Sequence, residues 1–357
     1  MHPDRPKKSP IRRCLLAFAA VLALALASTA AASAAAPVLE RPVSFQVSNV
    51  NQTRLACATD GRTYTIRGHL TGTRAELGSP KAATLYLHGL GLGEFFWNYH
   101  AVKGFDFVAG LAEKGHVSVT INRLGYDSSG KPQGFGSCIG GQADIAHQII
   151  GDLKSGKYSG SLTPKFKRVG LIGHSAGSSI TEVEAYSFKD AAAIGVLAYA
   201  DRGASPFQLE LGAGATAVCE AGGEPSNETS GPGGYAKFGQ TKQQGREAFF
   251  SSAPRKVQVE TLKVLTANPC GDLASAAAAP ATDLANLGRI KVPVLAVQGG
   301  KDTLFPVPDV KQQSLLYTGS SKVTFATLPK SAHALTLESE HGKLEAIVAK
   351  FLASSGL

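Results

Sequence analysis

The chain has 357 residues, 43% hydrophobic and 18% charged, a balance that excludes a disordered protein. At this length one sizeable core forms, and α/β domains of roughly 200–250 residues stay single, so the surplus must be a leader, an insertion, or both. The formal net charge is +9, but five basic residues and one acid fall in the first 36 positions; the +5 left without them is scattered and gives no reason to expect a nucleic-acid partner.

The N-terminus reads as a leader. Arg5, Lys7, Lys8, Arg12 and Arg13 stand against Asp4, an apolar run follows over residues 14–27, and small residues fill positions 28–36. Basic, apolar and small-residue segments in that order make a secretory signal peptide, cleaved after Ala34 or Ala36. The apolar run is shorter than the roughly 20 residues of a comfortable membrane span. An uncleaved anchor is the alternative. Arg12-Arg13 also fits a twin-arginine signal, but adjacent arginines are common in ordinary leaders, so the general secretory route is preferred. No second long apolar run follows. The mature chain is expected outside the cell, with no stable membrane insertion.

Residues 43–50 and 63–70 alternate apolar and polar positions, with turns at Gly61 and Thr71-Gly72, and read as an antiparallel opening. Apolar runs then recur at 83–87, 117–121, 169–172, 194–200, 292–297 and 323–328. Helical stretches separate most of them, at about 105–114, 141–155, 178–186, 310–317 and 343–353. This alternation predicts an α/β fold: a mostly parallel central sheet with helices on both faces. In such sheets ligands meet the carboxyl ends of the strands.

The rhythm breaks between residue 203 and about 287. That stretch holds Gly212, Gly214, Gly222-Gly223, a Ser/Gly/Pro-rich segment over 225–234 and an alanine-rich run before Pro280, with helices only at 242–252 and 257–266. So long an interruption predicts an inserted cap. The organisation expected is therefore a leader over 1–36 and one domain over 37–357 with a cap at about 203–287.

Beyond the leader four cysteines remain: Cys57, Cys138, Cys219 and Cys270. An even number in an exported protein suggests two disulfides, and sequence alone allows three pairings. Cys219 and Cys270 share the expected insertion and are paired here, leaving Cys57 with Cys138. Buried free thiols are the plainer alternative. No two of them are close neighbours, and no H-E-x-x-H or comparable cluster occurs, so no metal is expected. There is no Walker loop either, and no cofactor is expected.

The strongest motif is Gly173-His174-Ser175-Ala176-Gly177, a G-x-S-x-G pattern between an expected strand and an expected helix. A strand turning sharply into a helix holds the serine hydroxyl outward, and glycines flank it because larger residues collide with the neighbouring backbone. The helix N-terminus adds positive dipole beneath a developing oxyanion.

From about residue 60 onward, less the cap, the chain resembles the α/β-hydrolase superfamily. Gln298-Gly299-Gly300-Lys301-Asp302 looks like that family's acid turn, and Ser331-Ala332-His333 like its histidine loop. The resemblance implies a triad in the family's chain order: Ser175 as nucleophile, Asp302 as orienting acid and His333 as general base. Asp201, at the end of the next strand, is the alternative acid, and Asp302 has a plain turn role as its alternative. His341 is the rival of His333, expected to be exposed, and His174 is expected to pack beneath the turn.

His88-Gly89-Leu90-Gly91-Leu92-Gly93 resembles the family's oxyanion loop, which implies the backbone amides of Leu90 and Ala176 as donors. Phe95, Phe96 and Trp97, with Tyr99, either line a substrate pocket or belong to the core. Asn122-Arg123-Leu124-Gly125-Tyr126-Asp127 resembles a structural loop of the family, with Asn122 where aspartate is usual.

These features imply a secreted serine hydrolase acting on a small-molecule ester through an acyl-serine. A peptidase or amidase on the same residues is the alternative, with Glu220 or Glu224 as an amino-terminus binder. A fold kept as a silent binding module is the third reading. Oligomeric state and acyl preference are not written in the sequence.

Overall fold

The computed structural model describes Met1, Pro3, Asp4 and residues 37–227, 230–239 and 241–357. The chain divides into two compact units, Met1–Ala35 and Ala36–Leu357, and the architecture below belongs to the second. The leader expected over 1–36 lies outside the described residues, apart from those three.

Among the described residues the strands are β1 (Val38–Ser48), β2 (Thr63–Thr73), β3 (Ala82–Leu87), β4 (Ser118–Asn122), β5 (Ser159–Gly160) and β6 (Arg168–His174). They continue as β7 (Ile194–Leu197), β8 (Tyr235–Ala236), β9 (Asn268–Pro269), β10 (Val294–Gly299) and β11 (Val323–Leu328). The helices are α1 (Arg74–Gly78), α2 (Phe107–Ala112), α3 (Ile139–Ser155), α4 (Ala176–Ser187) and α5 (Pro206–Glu220). Then come α6 (Lys242–Phe249), α7 (Arg255–Lys263), α8 (Cys270–Asn286), α9 (Val307–Ser314) and α10 (His341–Ser354).

One sheet takes the order β11-β10-β7-β6-β3-β4-β2-β1-β5, and β8 and β9 form a second, two-stranded sheet. From β4 to β11 neighbouring strands run parallel; β2 joins β4 antiparallel and β1 joins β2 and β5 antiparallel. Side chains alternate across the sheet, and the core divides accordingly. Ala83, Leu85, Val169 and Leu171 pack with Ile149 of α3 and Ile180 and Val183 of α4. Tyr86, Ile172 and Leu197 face the other way, against Phe107 and Leu111 of α2 and Leu344 and Val348 of α10. Two buried faces explain why these strands read as continuous apolar runs.

The insertion between β7 and β10 holds more helix than its sequence promises. Ser205 caps α5 by accepting from the Gln208 amide, and Pro206 opens the helix, where its missing N–H costs nothing. Gly212 and Gly214 conceal that helix in the sequence. The alanine-rich run continues as α8 straight through Pro280. Ser275, Ala279 and Asp283 recur every fourth residue and are all buried, so packing of one face outweighs the hydrogen bond lost at the proline. That helix packs against α3 and α4 as well as against α5.

Cys57 is bonded to Cys138 and Cys219 to Cys270, with Cα–Cα distances of 6.2 and 5.6 Å. The first ties the β1–β2 connection to the start of α3, and the second ties α5 to α8. No helix among the described residues is long and apolar enough to cross a membrane.

Candidate active site

The site forms at the carboxyl ends of β3, β6, β10 and β11. Ser175 follows β6 directly and caps α4 with φ 54° and ψ −124°, a left-handed region that L side chains avoid. The turn is held from both sides. A Cβ on Gly173 would come within 2.0 Å of the Gly177 oxygen, and one on Gly177 within 2.2 Å of the Leu87 oxygen. The Ser178 hydroxyl donates to the Gly173 carbonyl (2.8 Å) and accepts from the Leu197 amide (2.9 Å), stitching the elbow to β7.

β10 and β11 deliver the other two residues through interlocked turns. His333 Nδ1 lies 2.8 Å from Asp302 Oδ2, and the two side chains are 1% and 0% exposed. Asp302 also accepts from Gln298 Nε2 (2.8 Å) on one oxygen and from the Leu304 and Phe305 amides (2.8 and 3.1 Å) on the other. Four donors fix this carboxylate, with His333 supplying its Nδ1–H; that tautomer leaves Nε2 as the acceptor. The Lys301 amide donates to the Ser331 carbonyl (2.9 Å), joining the two turns. Glu338 holds the histidine loop through the amides of Ala332, Ser251 and Ser252.

His174 lies beneath this arrangement. Its Nε2 is 2.9 Å from the His333 carbonyl, and its ring packs against those of His333 and Phe96. Burial, and then the neighbouring His333, push its pKa well below the usual imidazole value, so it stays neutral and donates.

The loop after β3 approaches from the opposite side. Gly89 packs so close that an added Cβ would come within 2.9 Å of the Ser175 Cβ. His88 binds within its own loop, Nδ1 to the Gly89 carbonyl (2.9 Å), while its Nε2 accepts from the Arg123 amide (3.1 Å). The Arg123 side chain donates back to the His88 carbonyl (3.0 Å) and pairs with Asp272 of α8. Asn268 accepts from the Gly91 amide (2.6 Å). Both the motif loop around Arg123 and the start of α8 thus shape the loop that presents Leu90. Nothing in the sequence ties Asp272 to Arg123; only folding pairs them.

Ser175 and His333 line one small cavity of about 60 Å³ with Leu90, Ala176, Tyr199 and Phe305. Phe238, Phe249, Gln208 and Ala276 close it from the inserted segment. The aromatics expected as pocket candidates lie elsewhere. Phe96 and Trp97 are fully buried in the core between the sheet, α2 and α10, where Trp97 packs on Tyr86 and Phe107. Phe95 packs against that core and lines a separate groove. The 3-10 turn over Glu94–Phe96 directs these side chains into the sheet face rather than toward Ser175. The walls come instead from Tyr199, Phe238, Phe249, Leu304 and Phe305, whose scattered positions carry no motif.

Asp201, the alternative acid, is bound elsewhere: its carboxylate accepts from the Tyr199 hydroxyl (2.8 Å), and its backbone amide donates to Gln313 Oε1. Its neighbours are Glu182 and Asp283, not His333. His341 begins α10, 3.5 Å from Glu345, and is partly covered by Phe105. A more open cavity of about 770 Å³ is lined by Asp127, Lys131, Glu224 and Lys237 and contains neither Ser175 nor His333.

The sequence model of the alpha/beta hydrolase family matches residues 85–346. The chain belongs to the α/β-hydrolase family. No curated protein matches it in sequence. Among solved structures it is similar to a thermophilic esterase from Thermogutta terrifontis, at 17% identity and a TM-score of 0.62, over 88% of this chain and 100% of that one. A monoacylglycerol lipase from Paleococcus ferrophilus aligns at 16% identity and 0.55, over 76% and 94%. A bromoperoxidase from Bacillus anthracis aligns at 16% and 0.58, over 87% and 99%. At these identities the likeness is one of fold.

Proposed function

We propose that this hydrolase-family protein is a secreted serine esterase that cleaves small carboxylic esters through an acyl-serine. The observation that carries the reading is the juxtaposition at the strand ends. Ser175, in a strained outward turn, shares a cavity with His333, and His333 rests on a buried, four-fold hydrogen-bonded Asp302. His333 Nε2 takes the Ser175 proton as Oγ attacks the ester carbonyl, and returns it to the departing alcohol. Water then enters by the same route and frees the acid. Asp302 holds the imidazole in its working tautomer and stabilises its charged form.

The amides of Leu90 and Ala176 are the proposed oxyanion donors. Among the described residues neither N–H has a protein acceptor, and Ala176 opens α4, where the helix dipole favours negative charge. Each such donor contributes about 10²–10³ in rate in comparable sites.

Apolar walls suit an acyl chain better than a peptide. The acids Glu220 and Glu224 do not line the Ser175 cavity, and Glu224 faces the larger cleft, so the amidase alternative gains no support. A cavity of about 60 Å³ is far below the roughly 300–1,000 Å³ of ligand sites, so the Phe238 side of the inserted segment must swing aside to admit substrate. The two disulfides and the leader-like N-terminus support an extracellular setting.

The test is turnover of p-nitrophenyl esters from acetyl to palmitoyl beside aminoacyl anilides. Ester cleavage that disappears in Ser175→Ala supports the reading. Anilide turnover without ester turnover contradicts it.

A further inference from the structure

A second cluster of chemistry-bearing side chains lies on the helical layer, away from the Ser175 cavity. His147 of α3, Glu184 of α4 and Asp190, in the connection to β7, each place one donor atom within 4.8 Å of the other two. Their spacing in the sequence matches no metal motif; the packing of α3 on α4 brings them together.

Glu184 is the telling member. It is fully buried, and among the described residues neither of its carboxylate oxygens meets a hydrogen-bond donor. It faces another carboxyl, that of Asp190, whose Oδ1 is also without a donor. An ionised buried carboxylate with no cation is costly. Lys154 is close by, yet its ammonium donates to the Asp190 backbone carbonyl (2.7 Å) and to neither carboxylate.

The other two ligands are held in place. The His147 ring stacks on Phe188 at 4.0 Å and 9°, and its Nδ1 lies 2.7 Å from Asp190 Oδ2. Its side chain is 39% exposed, which gives an ion a way in and leaves coordination positions open to water.

We propose that His147, Glu184 and Asp190 form a binding site for a divalent transition cation of the zinc class, which clamps α3, α4 and the approach to β7. One imidazole and two carboxylates suit such an ion, whereas a calcium site takes six to eight oxygens. A tetrahedral zinc with bonds of about 2.0–2.1 Å spaces its ligand atoms roughly 3.4 Å apart. Binding therefore opens the His147–Asp190 contact slightly, which the half-exposed imidazole permits. Glu184 lies nine residues beyond Ser175 on the nucleophile's own helix, about 13 Å along its axis at the usual rise. The ion's role there is structural: it pins the far end of α4 and takes no part in ester cleavage.

The competing arrangement is a proton shared between Glu184 and Asp190. The two are separated by titrating the EDTA-treated protein with ZnCl₂, followed by calorimetry and thermal melting, with CaCl₂ as a control. The proposal expects one equivalent bound, a melting midpoint raised by several degrees, and no comparable response to calcium. In Glu184→Gln, which keeps the shape, and in His147→Asn, binding weakens at least roughly tenfold, while metal-free ester turnover stays at the wild-type level. Absence of saturable zinc binding overturns the site, and so does binding undiminished in both variants. If Glu184→Gln fails to fold, the half-exposed His147→Asn decides alone.

Discussion

Arg123 Nη1 lies 3.0 Å from Asp272 Oδ2, and the two side chains are 1% and 0% exposed. The pair joins α8 to the loop that presents Leu90, because the same guanidinium holds the His88 and Gly89 carbonyls. Asp272 is further bonded by Ser137 and Gln142. Removing one partner of a buried pair strands the other charge and costs about 3–5 kcal/mol. Arg123→Ala is therefore expected to lower the unfolding free energy measured in urea by that order. Its kcat should fall as well, since the loop loses both anchors. Unchanged stability would show that the pair does not brace the loop.

His174 Nε2 lies 2.9 Å from the His333 carbonyl, so the proposed mechanism gives His174 a positioning role. His174→Phe keeps a ring against Phe96 but loses the donor. The expected result is a fall in kcat of about tenfold with little change in KM, since misplacing a catalytic group slows chemistry more than binding. The pH–rate profile should keep its shape, because His174 is held neutral. A displaced profile would mean that His174 titrates during turnover.

Asp302 and Asp201 are told apart by turnover. Asp302→Asn leaves His333 in the wrong tautomer and is expected to lower kcat by about 10³–10⁴. Asp201→Asn is expected to keep most activity, because Asp201 bonds to Tyr199 and not to His333. Esterase assays on the two variants check this, and the reverse ranking would move the orienting acid to Asp201.

Glu182, Asp201 and Asp283 form a buried acidic group beneath α4. Tyr186 and Ser179 donate to Asp283, Gln313 and Tyr317 to Glu182, and Tyr199 to Asp201; Arg202 acts on Asp201 from the next residue. Burial pushes Asp283 up to about 6, and burial with the neighbouring carboxyls pushes Glu182 and Asp201 well above the usual range. The folded state thus keeps protons that the unfolded chain releases near pH 4, and this group lowers stability as pH rises. Buried His88 and His174 act oppositely, because unfolded histidines take up protons below about 6.5. The difference between variant and wild type isolates the acids. Relative to wild type, Asp201→Asn is expected to gain about 1–3 kcal/mol between pH 5 and pH 8. Melting midpoints across that range check it, and a flat difference would contradict it.

The parallel sheet and the Ser175 elbow were legible because each rests on local signals: apolar runs for the strands, and glycines at 173 and 177 for the turn. Asp302 and His333 were singled out only through resemblance to a family, since Gly-Lys-Asp is ordinary turn chemistry. What stayed hidden depends on long-range packing. Tyr199, Phe238 and Phe305 are unremarkable in sequence and converge only when the sheet and the inserted segment close. Trp97 and Phe96 carried the expected look of pocket residues but are claimed by the core under α2 and α10. The Ala-rich segment before Pro280 is helical because its buried face packs on α3 and α4, which local propensity does not reveal.

The most direct test of the central claim is covalent labelling by a serine-reactive phosphonate, with the adduct located by mass spectrometry. The account predicts one adduct per chain on the peptide carrying Ser175, none in Ser175→Ala, and slower labelling in His333→Ala. An unlabelled wild-type protein, or labelling that persists in Ser175→Ala, would contradict it.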